Sequence, residues 1–364
     1  MHKIPICRPI MDEEMTEAAV LALQNEMSVG GESVFKFEEE FASYTGVKHA
    51  VSVSSGTDAL ILSLIAAGIK DKKVVTTPFT FIASCNSIIH AGGHAVLADI
   101  DERDCNIDPE KVAAVTDDSV GALLPVHIFG RPCRMDEMMD IAAENDALVI
   151  EDACQAHGAT FKGKKVGSIG DIGCFSFYPT KNMTVGGDGG MVTTDDGDLA
   201  SSIRKLRDCG RKERYLHDVH GFTSRLNSVN AAIGRVQLRR LDSWNSMRIV
   251  NSQLYHKHLS GIEGLSLPLQ NGLGMESVFH LYAVRTERRD ELKKWLDDNG
   301  VATAIHYPVP VHRQPVFEPY GMGNYPLSEK ASMTSISLPM FPGLSSEDIS
   351  IVCDHIKDFF GRFG

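Results

Sequence analysis

A lysine in a turn-rich segment and an acid after an apolar run are the residues of this sequence best suited to covalent chemistry. Lys181 follows Pro179 and precedes a glycine-rich stretch at 186–190, and Asp152 follows the apolar run 147–150. Pyridoxal 5′-phosphate (PLP) needs a lysine that forms a Schiff base with it and a carboxylate that keeps its pyridine nitrogen protonated. The pairing therefore favours a PLP site with Lys181 and Asp152 as catalytic residues. The competing interpretation is that Asp152 only begins a loop or caps a helix.

A turn at 54–58 contains serine and glycine and could bind the phosphate group of such a cofactor. It follows an apolar strand candidate and opens a helix, so free N–H groups near Gly56 and the positive end of the helix dipole would face an anion. Ser55 and Thr57 add hydroxyl donors, and Ser176 could donate from the far side. Ordinary helix capping by Ser or Thr is the alternative. The sequence has no GxGxxG or GxxxxGK[ST] segment, so nothing indicates a dinucleotide or P-loop site.

Further candidates are polar or aromatic residues that could contact a cofactor or a substrate. Asn227 precedes a long helical pattern and is either its N-cap or a phosphate ligand. Phe81 is either a stacking partner for an aromatic cofactor or an ordinary core residue. The proline-rich stretch 306–315 is either a structural loop or a rigid substrate-binding rim, because prolines reduce the entropy lost on ordering a loop. Its polar and aromatic residues are His306, Tyr307, His312 and Arg313.

Composition excludes several classes of function. The 364 residues carry 36 basic and 48 acidic side chains, a net charge of −12, which argues against binding to nucleic acid or to an anionic membrane. No apolar run approaches the length of a membrane span, and the N-terminus lacks the apolar core of a signal peptide. The eight cysteines form no CxxC pair and are expected to be reduced, as in a cytoplasmic protein. His90 and His94 are four residues apart but lack a third ligand, so no metal site is predicted.

The elements that must position these residues alternate between strand and helix in the first two thirds of the chain. This alternation predicts a mainly parallel α/β sheet. After about residue 228 the pattern changes to one long helix or a helix pair, which is followed by a smaller α+β unit. We expect a large domain over 1–240, a small domain over 241–364 and an N-terminal segment that packs on the small domain. The strand candidates are 50–53, 74–77, 95–99, 121–129, 147–152, 173–177, 191–194 and 279–285; the helix candidates are 35–44, 135–144, 228–259, 288–299 and 346–360.

With these segments assembled, the chain resembles the DegT/DnrJ/EryC1/StrS family of PLP-dependent sugar aminotransferases. The resemblance runs nearly end to end, and its segments are specific together although each is weak alone. They are 4–9, 37–46, 54–60, 78–84, 151–155, 175–190, 225–234 and 306–310. The resemblance implies fold type I of PLP enzymes, with a mainly parallel seven-stranded sheet and a smaller C-terminal domain. It also implies a homodimer whose active sites lie at the subunit interface.

The resemblance assigns roles to individual residues. Lys181 would bind PLP covalently, with pyridoxamine 5′-phosphate formed during turnover, and Asp152 would pair with the pyridine nitrogen. Gln155 would contact the ring side that bears the 3′-oxygen, and Phe81 would lie against the ring. The phosphate would be held by the backbone of Gly56 and Thr57, by Ser176 and, from the partner subunit, by Asn227.

Two details favour one branch of this family. Members of its dehydratase branch carry His at the position of Lys181, so an aminotransferase is expected. Asp188, where many C-4 sugar aminotransferases have Glu, and Tyr178-Pro in place of His-Pro resemble the branch that aminates C-3 of nucleotide-linked ketosugars. We therefore expect glutamate as donor and a keto-sugar, nucleotide-linked and with its keto group at C-3, as acceptor. A C-4 ketosugar or inosose aminotransferase and a non-catalytic PLP-binding regulator are the alternatives, and Arg225 and Arg313 are candidate carboxylate anchors.

Overall fold

A seven-stranded sheet lies at the centre of the computed structural model, which describes residues 3–363. Its strands run in the order β1-β9-β8-β5-β4-β2-β3. The strands of the described chain are β1 His49–Val53, β2 Lys73–Thr76, β3 His94–Leu97, β4 Val120–Leu123, β5 Leu148–Asp152, β6 Thr160–Phe161, β7 Lys164–Lys165, β8 Ile172–Ser176, β9 Gly190–Thr194, β10 Arg211–Glu213, β11 Leu216–His217, β12 Met275–Glu276, β13 Tyr282–Arg285 and β14 Ser335–Leu338.

Eleven α-helices connect and cover these strands within residues 3–363. They are α1 Glu13–Asn25, α2 Glu32–Thr45, α3 Gly56–Ala66, α4 Ala83–His90, α5 Pro109–Val115, α6 Met135–Glu144, α7 Gly197–Arg207, α8 Ser228–Leu259, α9 Arg289–Asp298, α10 Pro326–Thr334 and α11 Ser346–Phe363. None of the described helices is both long and apolar enough to cross a bilayer.

The pairing within the sheet confirms the predicted fold class. Strands β3, β2, β4, β5 and β8 pair in parallel, whereas β9 pairs antiparallel with both β8 and β1. The sheet is therefore mainly parallel, and β9 alone runs against the other six. All seven strand candidates from the first two thirds of the sequence belong to it. The candidate at 121–129 was too long, because β4 ends at Leu123 and Pro125 soon afterwards lacks the N–H that a strand interior would donate.

Helices cover both faces of the sheet, which explains why its strands are apolar on both sides. On one face, Val51, Ile150 and Val192 pack with Leu60 and Leu64 of α3 and with Ile203 of α7. On the opposite side, Phe37 and Phe41 of α2 pack with Phe175 and Phe177 at the end of β8 and with Leu241 of α8. This double burial fixes the sheet, so its carboxyl edge is a rigid base for side chains that follow the strands.

The long helix α8 joins this core to a second one. Leu238 and Leu241 belong to the core under the large sheet, whereas Tyr255 and Leu259 pack with Tyr282 and Ile336 of the antiparallel pair β13–β14 and with Val352 of α11. Ile4 packs into this second core, and its N–H donates to Gly300 O at 3.0 Å. The expected domain boundary at residue 240 would fall inside α8 and stays a prediction.

Candidate active site

A cavity of about 400 Å³ opens where β1, β5 and β8 end. These strands run in the same direction, so the residues that follow them meet at one edge of the sheet. Segments from the other half of the chain, around residues 280 and 306, close the cavity. The cavity is lined by these residues predicted from sequence: Ser55, Gly56, Thr57, Phe81, Asp152, Gln155, Ser176, Tyr178, Lys181, His306 and Tyr307.

The start of α3 forms one wall of the cavity. Ser55 caps the helix, and its Oγ accepts the N–H of Asp58 at 3.0 Å. The N–H groups of Gly56 and Thr57 have no acceptor within residues 3–363. A Cβ on Gly56 would lie 2.5 Å from Cβ of Ser176, so only glycine fits against β8 at this point. The resulting cradle presents two free N–H groups and the hydroxyls of Thr57 and Ser176, a donor set that suits a phosphate.

Asp152 lies across the cavity at the end of β5. Its Oδ2 accepts the hydroxyl of Ser84 at 2.7 Å, and its Oδ1 accepts the N–H of Cys154 at 3.2 Å. Because the carboxylate can only accept, the Ser84 hydroxyl is the donor, and Ser84 Oγ in turn accepts from Thr80 Oγ1 at 2.9 Å. Sequence reasoning missed Ser84 as a site residue. It stands in the segment 78–84, but its contact with Asp152 spans 68 positions of the chain.

The side chain next to Asp152 on β5 points away from the cavity. Glu151 is fully buried, and its carboxylate accepts the N–H groups of Gly167, Ile169 and Gly170, each at 2.8 Å. His127 completes the set, with Nε2 at 3.0 Å from Glu151 Oε2. His127 Nδ1 accepts the N–H of Cys133 at 3.0 Å, so the ring proton lies on Nε2 and is donated to Glu151. This cluster fixes the end of the strand that carries Asp152.

Lys181 is half-buried at the cavity, and within residues 3–363 its Nζ has no hydrogen-bond or ion-pair partner. Burial lowers the pKa of Lys181, while the neighbouring Cys154 and Asp152 act in the opposite direction. An amine without a partner and with a depressed pKa has a larger neutral fraction, which is the form that attacks a carbonyl.

Gln155, Tyr307 and Phe81 form an aromatic and amide wall. Gln155 Oε1 accepts the N–H of Phe129 at 2.9 Å, so its amide orientation is fixed, and Nε2 donates to the hydroxyl oxygen of Tyr307 at 3.1 Å. The Tyr307 and Phe81 rings lie 5.9 Å apart between centroids. Phe81 is 54% exposed, which excludes the alternative that it is a core residue of this chain.

Two histidines line the cavity beside Lys181. His306 Nδ1 lies 2.9 Å from the hydroxyl oxygen of Ser337, and His280 Nδ1 lies 3.2 Å from Oδ1 of Asn182. Burial, together with the charge of Lys181, lowers the pKa of His306 to about 4 and that of His280 well below its usual value. Sequence reasoning missed His280. Its one signal was a histidine inside the apolar strand candidate 279–285, and such a residue is usually part of the core.

Four predicted residues lie outside the cavity lining. Arg225 pairs with Asp208 at 2.7 Å, and Arg313 and His312 both pair with Glu329, at 2.9 and 2.8 Å. Asn227 caps α8 by accepting the N–H of Asn230 at 2.8 Å and is exposed. A contribution from Asn227 to a second subunit therefore stays a prediction. Within residues 3–363, His, Cys, Asp and Glu form no group of three or more suited to a metal.

These residues fit PLP by their donor set. The glycine cradle with its free N–H groups suits the phosphate, and Asp152 offers a carboxylate with free acceptor capacity. Lys181 offers the one described amine that lines the cavity, and it has no competing partner. The aromatic wall beside Phe81 and Tyr307 suits a flat ring.

Comparison with known proteins points to the same chemistry. Residues 9–357 match the sequence model of the DegT/DnrJ/EryC1/StrS aminotransferase family. The chain is 40% identical to the pleiotropic regulatory protein of Geobacillus stearothermophilus over 337 residues, which cover 92% of this chain and 91% of that protein. It is 38% identical to dTDP-3-amino-3,4,6-trideoxy-alpha-D-glucose transaminase of Streptomyces venezuelae over 351 residues, which cover 95% and 92% of the two chains.

The fold has a similar counterpart among solved structures. The crystal structure of S. venezuelae DesV in complex with a ketimine intermediate superposes with a TM-score of 0.95 at 36% identity, and the match covers 99% of each chain. The similarity therefore extends over the whole cavity, including both segments that close it.

Proposed function

The chain belongs to the DegT/DnrJ/EryC1/StrS aminotransferase family, and from that premise we propose that it moves an amino group from glutamate to a nucleotide-linked 3-keto-sugar. The observation that carries this proposal is the unpaired Lys181, which lies in the same cavity as Asp152 and the glycine cradle at the strand ends. PLP-dependent transamination needs those three elements together.

The residues of the cavity divide the work of holding the cofactor. Lys181 would bind it covalently through Nζ, and the carboxylate of Asp152 would keep the pyridine nitrogen protonated. The backbone of Gly56 and Thr57 and the hydroxyls of Thr57 and Ser176 would hold the phosphate. Bound there, PLP supplies an electron sink for the carbanion that forms when a substrate loses a proton.

Lys181 also handles the protons of both half-reactions. With the amine of the donor in its place on the cofactor, Nζ would be free to accept the proton that leaves Cα of glutamate. In the second half it would deliver a proton to the sugar carbon that receives the amino group. Its depressed pKa suits this role, because a base works best when its pKa lies near the working pH.

The sugar acceptor is supported by the lining of the cavity and by a relative. The lining includes the neutral polar side chains of Tyr178, Thr180, His306 and Tyr307, together with Asp188. Such groups suit hydroxyl-rich substrates better than apolar ones. The S. venezuelae relative is named for a 3-amino sugar, which favours C-3 over the C-4 ketosugar and inosose alternatives.

A homodimer with shared active sites is part of this proposal. Lys181 is the one Lys or Arg among the described lining residues, yet glutamate carries two carboxylates and a nucleotide sugar carries a diphosphate. Additional cations are therefore needed from outside this cavity. Leu21, Leu23, Met27 and Phe35 are exposed apolar residues on and between α1 and α2, and Val29 in the same stretch pairs with Asn227. A second copy that covers these residues would bring Asn227 towards a partner's cofactor.

A PLP-binding regulator is the second candidate, because the Geobacillus relative is called a pleiotropic regulatory protein. A regulator that only binds PLP could use Lys181 as well, but it has no need for an electron sink. The carboxylate of Asp152, which would keep the pyridine nitrogen protonated, therefore favours catalysis.

Purified protein supplied with PLP tests the proposal. We expect the visible absorption of bound PLP, its loss in Lys181→Ala, conversion to the pyridoxamine form with glutamate, and a new amine at C-3 of a nucleotide ketosugar by NMR. Protein that stays colourless with added PLP contradicts the assignment. Protein that binds PLP but reacts with neither glutamate nor any ketosugar supports the regulator instead.

A further inference from the structure

His280 is a buried histidine at the cavity to which the proposed function gives no role. It lies two residues before β13, is 6% exposed and lines the same cavity as Lys181. Its Nδ1 is bonded to Asn182, whereas its Nε2 has no hydrogen-bond partner within residues 3–363 and is not sealed from the cavity. A polar atom of a buried side chain that is left open in this way is available to a ligand.

The hydrogen bonds around Asn182 determine which nitrogen of His280 carries the proton. Asn182 Nδ2 donates to Val278 O at 3.1 Å and to Asn245 Oδ1 at 2.9 Å. Because a carbonyl oxygen can only accept, the Asn182 atom that faces Val278 must be the amide nitrogen. Asn245 agrees with this orientation, since its own Nδ2 donates to the carbonyl oxygen of His157 at 2.8 Å.

Asn182 Oδ1 is therefore an acceptor, and the Nδ1–H of His280 must donate to it. A neutral imidazole carries one proton, so Nε2 is left with its lone pair exposed to the cavity. The ring stays neutral at pH 7, because burial and the charges of Lys181 and Arg248, together with His306 and His157 nearby, all lower the pKa of His280.

We propose that Nε2 of His280 accepts a hydrogen bond from a hydroxyl group of the sugar substrate, with Asn182 as the positioning residue that fixes the ring tautomer. This inference rests on the proposed function. A fixed lone pair discriminates between the two substrates of a transaminase: it attracts a hydroxyl hydrogen and repels the carboxylate oxygens of glutamate. A site built in this way rejects an analogue that lacks the hydroxyl, because the ring nitrogen is then left buried and unpaired.

The two half-reactions separate the proposal from a structural role. In His280→Phe, which keeps the ring but removes the acceptor, we expect the glutamate half-reaction to stay within about twofold of the wild type and kcat/KM for the ketosugar to fall roughly tenfold. His280→Gln should retain most of the sugar reaction, because its amide oxygen can occupy the position of Nε2. An equal loss in both half-reactions, or no loss in either, overturns the proposal.

The matched control is His157→Phe, a buried histidine whose ring does not line the cavity. It should leave both half-reactions unchanged. A selective loss of the sugar half-reaction in this control would show that repacking explains the His280→Phe result and would overturn the proposal.

The tautomer is tested in the unmodified PLP-bound protein, which keeps the proposal falsifiable if His280→Phe does not fold. Long-range ¹H–¹⁵N correlation spectra of histidine-labelled protein at pH 7 should show His280 protonated on Nδ1 alone. The resonance is assigned by its absence in His280→Gln. Protonation on Nε2, or on both nitrogens, overturns the proposal. Failure of the proposed function would be seen separately: the wild-type protein would show the expected His280 tautomer but would aminate no sugar.

Discussion

Two carboxylates stand side by side at the end of β5, and their surroundings are opposite in kind. Glu151 faces away from the cavity, is fully buried and accepts hydrogen bonds from three backbone N–H groups and from His127. Asp152 faces the cavity and accepts from Ser84 and from one backbone N–H. The strand repeat of two residues sends the neighbours to opposite sides. One carboxylate is saturated by the fold, and the other keeps acceptor capacity for a ligand.

The histidines of the two regions repeat this contrast. Both ring nitrogens of His127 are bonded, one to Cys133 and one to Glu151. His280 and His306 each have one bonded ring nitrogen and one that has no described partner. The closed cluster around Glu151 therefore contributes stability, whereas the open cluster around Lys181 leaves polar groups unsatisfied until cofactor and substrate arrive. Unsatisfied polar groups of this kind are expected at functional sites.

Replacing each carboxylate by its amide should give the largest difference between the two regions: a loss of turnover at Asp152 and a loss of stability at Glu151. Asp152→Asn keeps the shape but removes the charge that we propose lies beside the cofactor nitrogen, so turnover should fall about 10²–10³-fold while the free energy of unfolding changes by less than about 1 kcal/mol. Glu151→Gln presents an amide NH₂ to groups that can only donate, and should cost roughly 2–4 kcal/mol of unfolding free energy. Steady-state kinetics and urea denaturation of the cofactor-free proteins measure the two effects.

Ser84→Ala serves as the control for Asp152→Asn, because it removes a hydrogen bond to the same carboxylate but leaves the charge. Its loss of turnover should be much the smaller. The comparison between the regions fails if Asp152→Asn destabilises the fold as much as Glu151→Gln does, or if Glu151→Gln folds normally and loses only activity.

His157 extends the comparison to pH. Burial, together with the charge of Lys181, lowers the pKa of His157 to about 3 in the folded protein, below the usual value of 6.5. Between these two pH values His157 binds a proton in the unfolded chain but not in the folded protein. Neutral His157 therefore makes its full contribution to the free energy of unfolding above about pH 6.5, and this contribution is lost as the pH falls. From pH 7 to pH 5, the free energy of unfolding of His157→Phe should therefore fall by about 1–2 kcal/mol less than that of the wild type.

Urea denaturation at the two pH values measures this difference. Exposed His94 provides the control, since His94→Gln should leave the pH dependence unchanged. The same pH dependence in wild type and His157→Phe would mean that His157 is protonated in the folded protein as readily as in the unfolded chain.

Local sequence features predicted the sheet and the turn that opens α3, because both depend on short-range patterns. The apolar runs that became the seven strands and the turn at 54–58 are each contained in fewer than about ten residues, a length over which hydrophobic periodicity is informative. The amphipathic pattern at 135–144 likewise became α6 with the same bounds.

The open cluster could be predicted only in part, because its other members depend on contacts between distant segments. Asn182 lies next to Lys181 in the sequence, yet its partners Val278 and His280 come 96 and 98 positions later. No local pattern distinguishes His280 from a core histidine. The rim residues show the converse: the prolines around His312 and Arg313 suggested a substrate loop, but both side chains pair with Glu329 in the fold.

Arg313→Ala should therefore have the smallest effect. It tests whether the open cluster around Lys181 includes residues outside the cavity lining. Its side chain is 52% exposed, its guanidinium is shared between Glu329 and Asn324, and exposed pairs of this kind contribute little. We expect kcat and KM for both substrates to stay within about twofold of the wild type. Arg313→Lys, which keeps the charge, is the matched control. A large rise in the KM for glutamate in Arg313→Ala, reversed in Arg313→Lys, would mean that Arg313 leaves Glu329 to bind a substrate carboxylate. The open cluster around Lys181 would then extend beyond the cavity lining of the single chain.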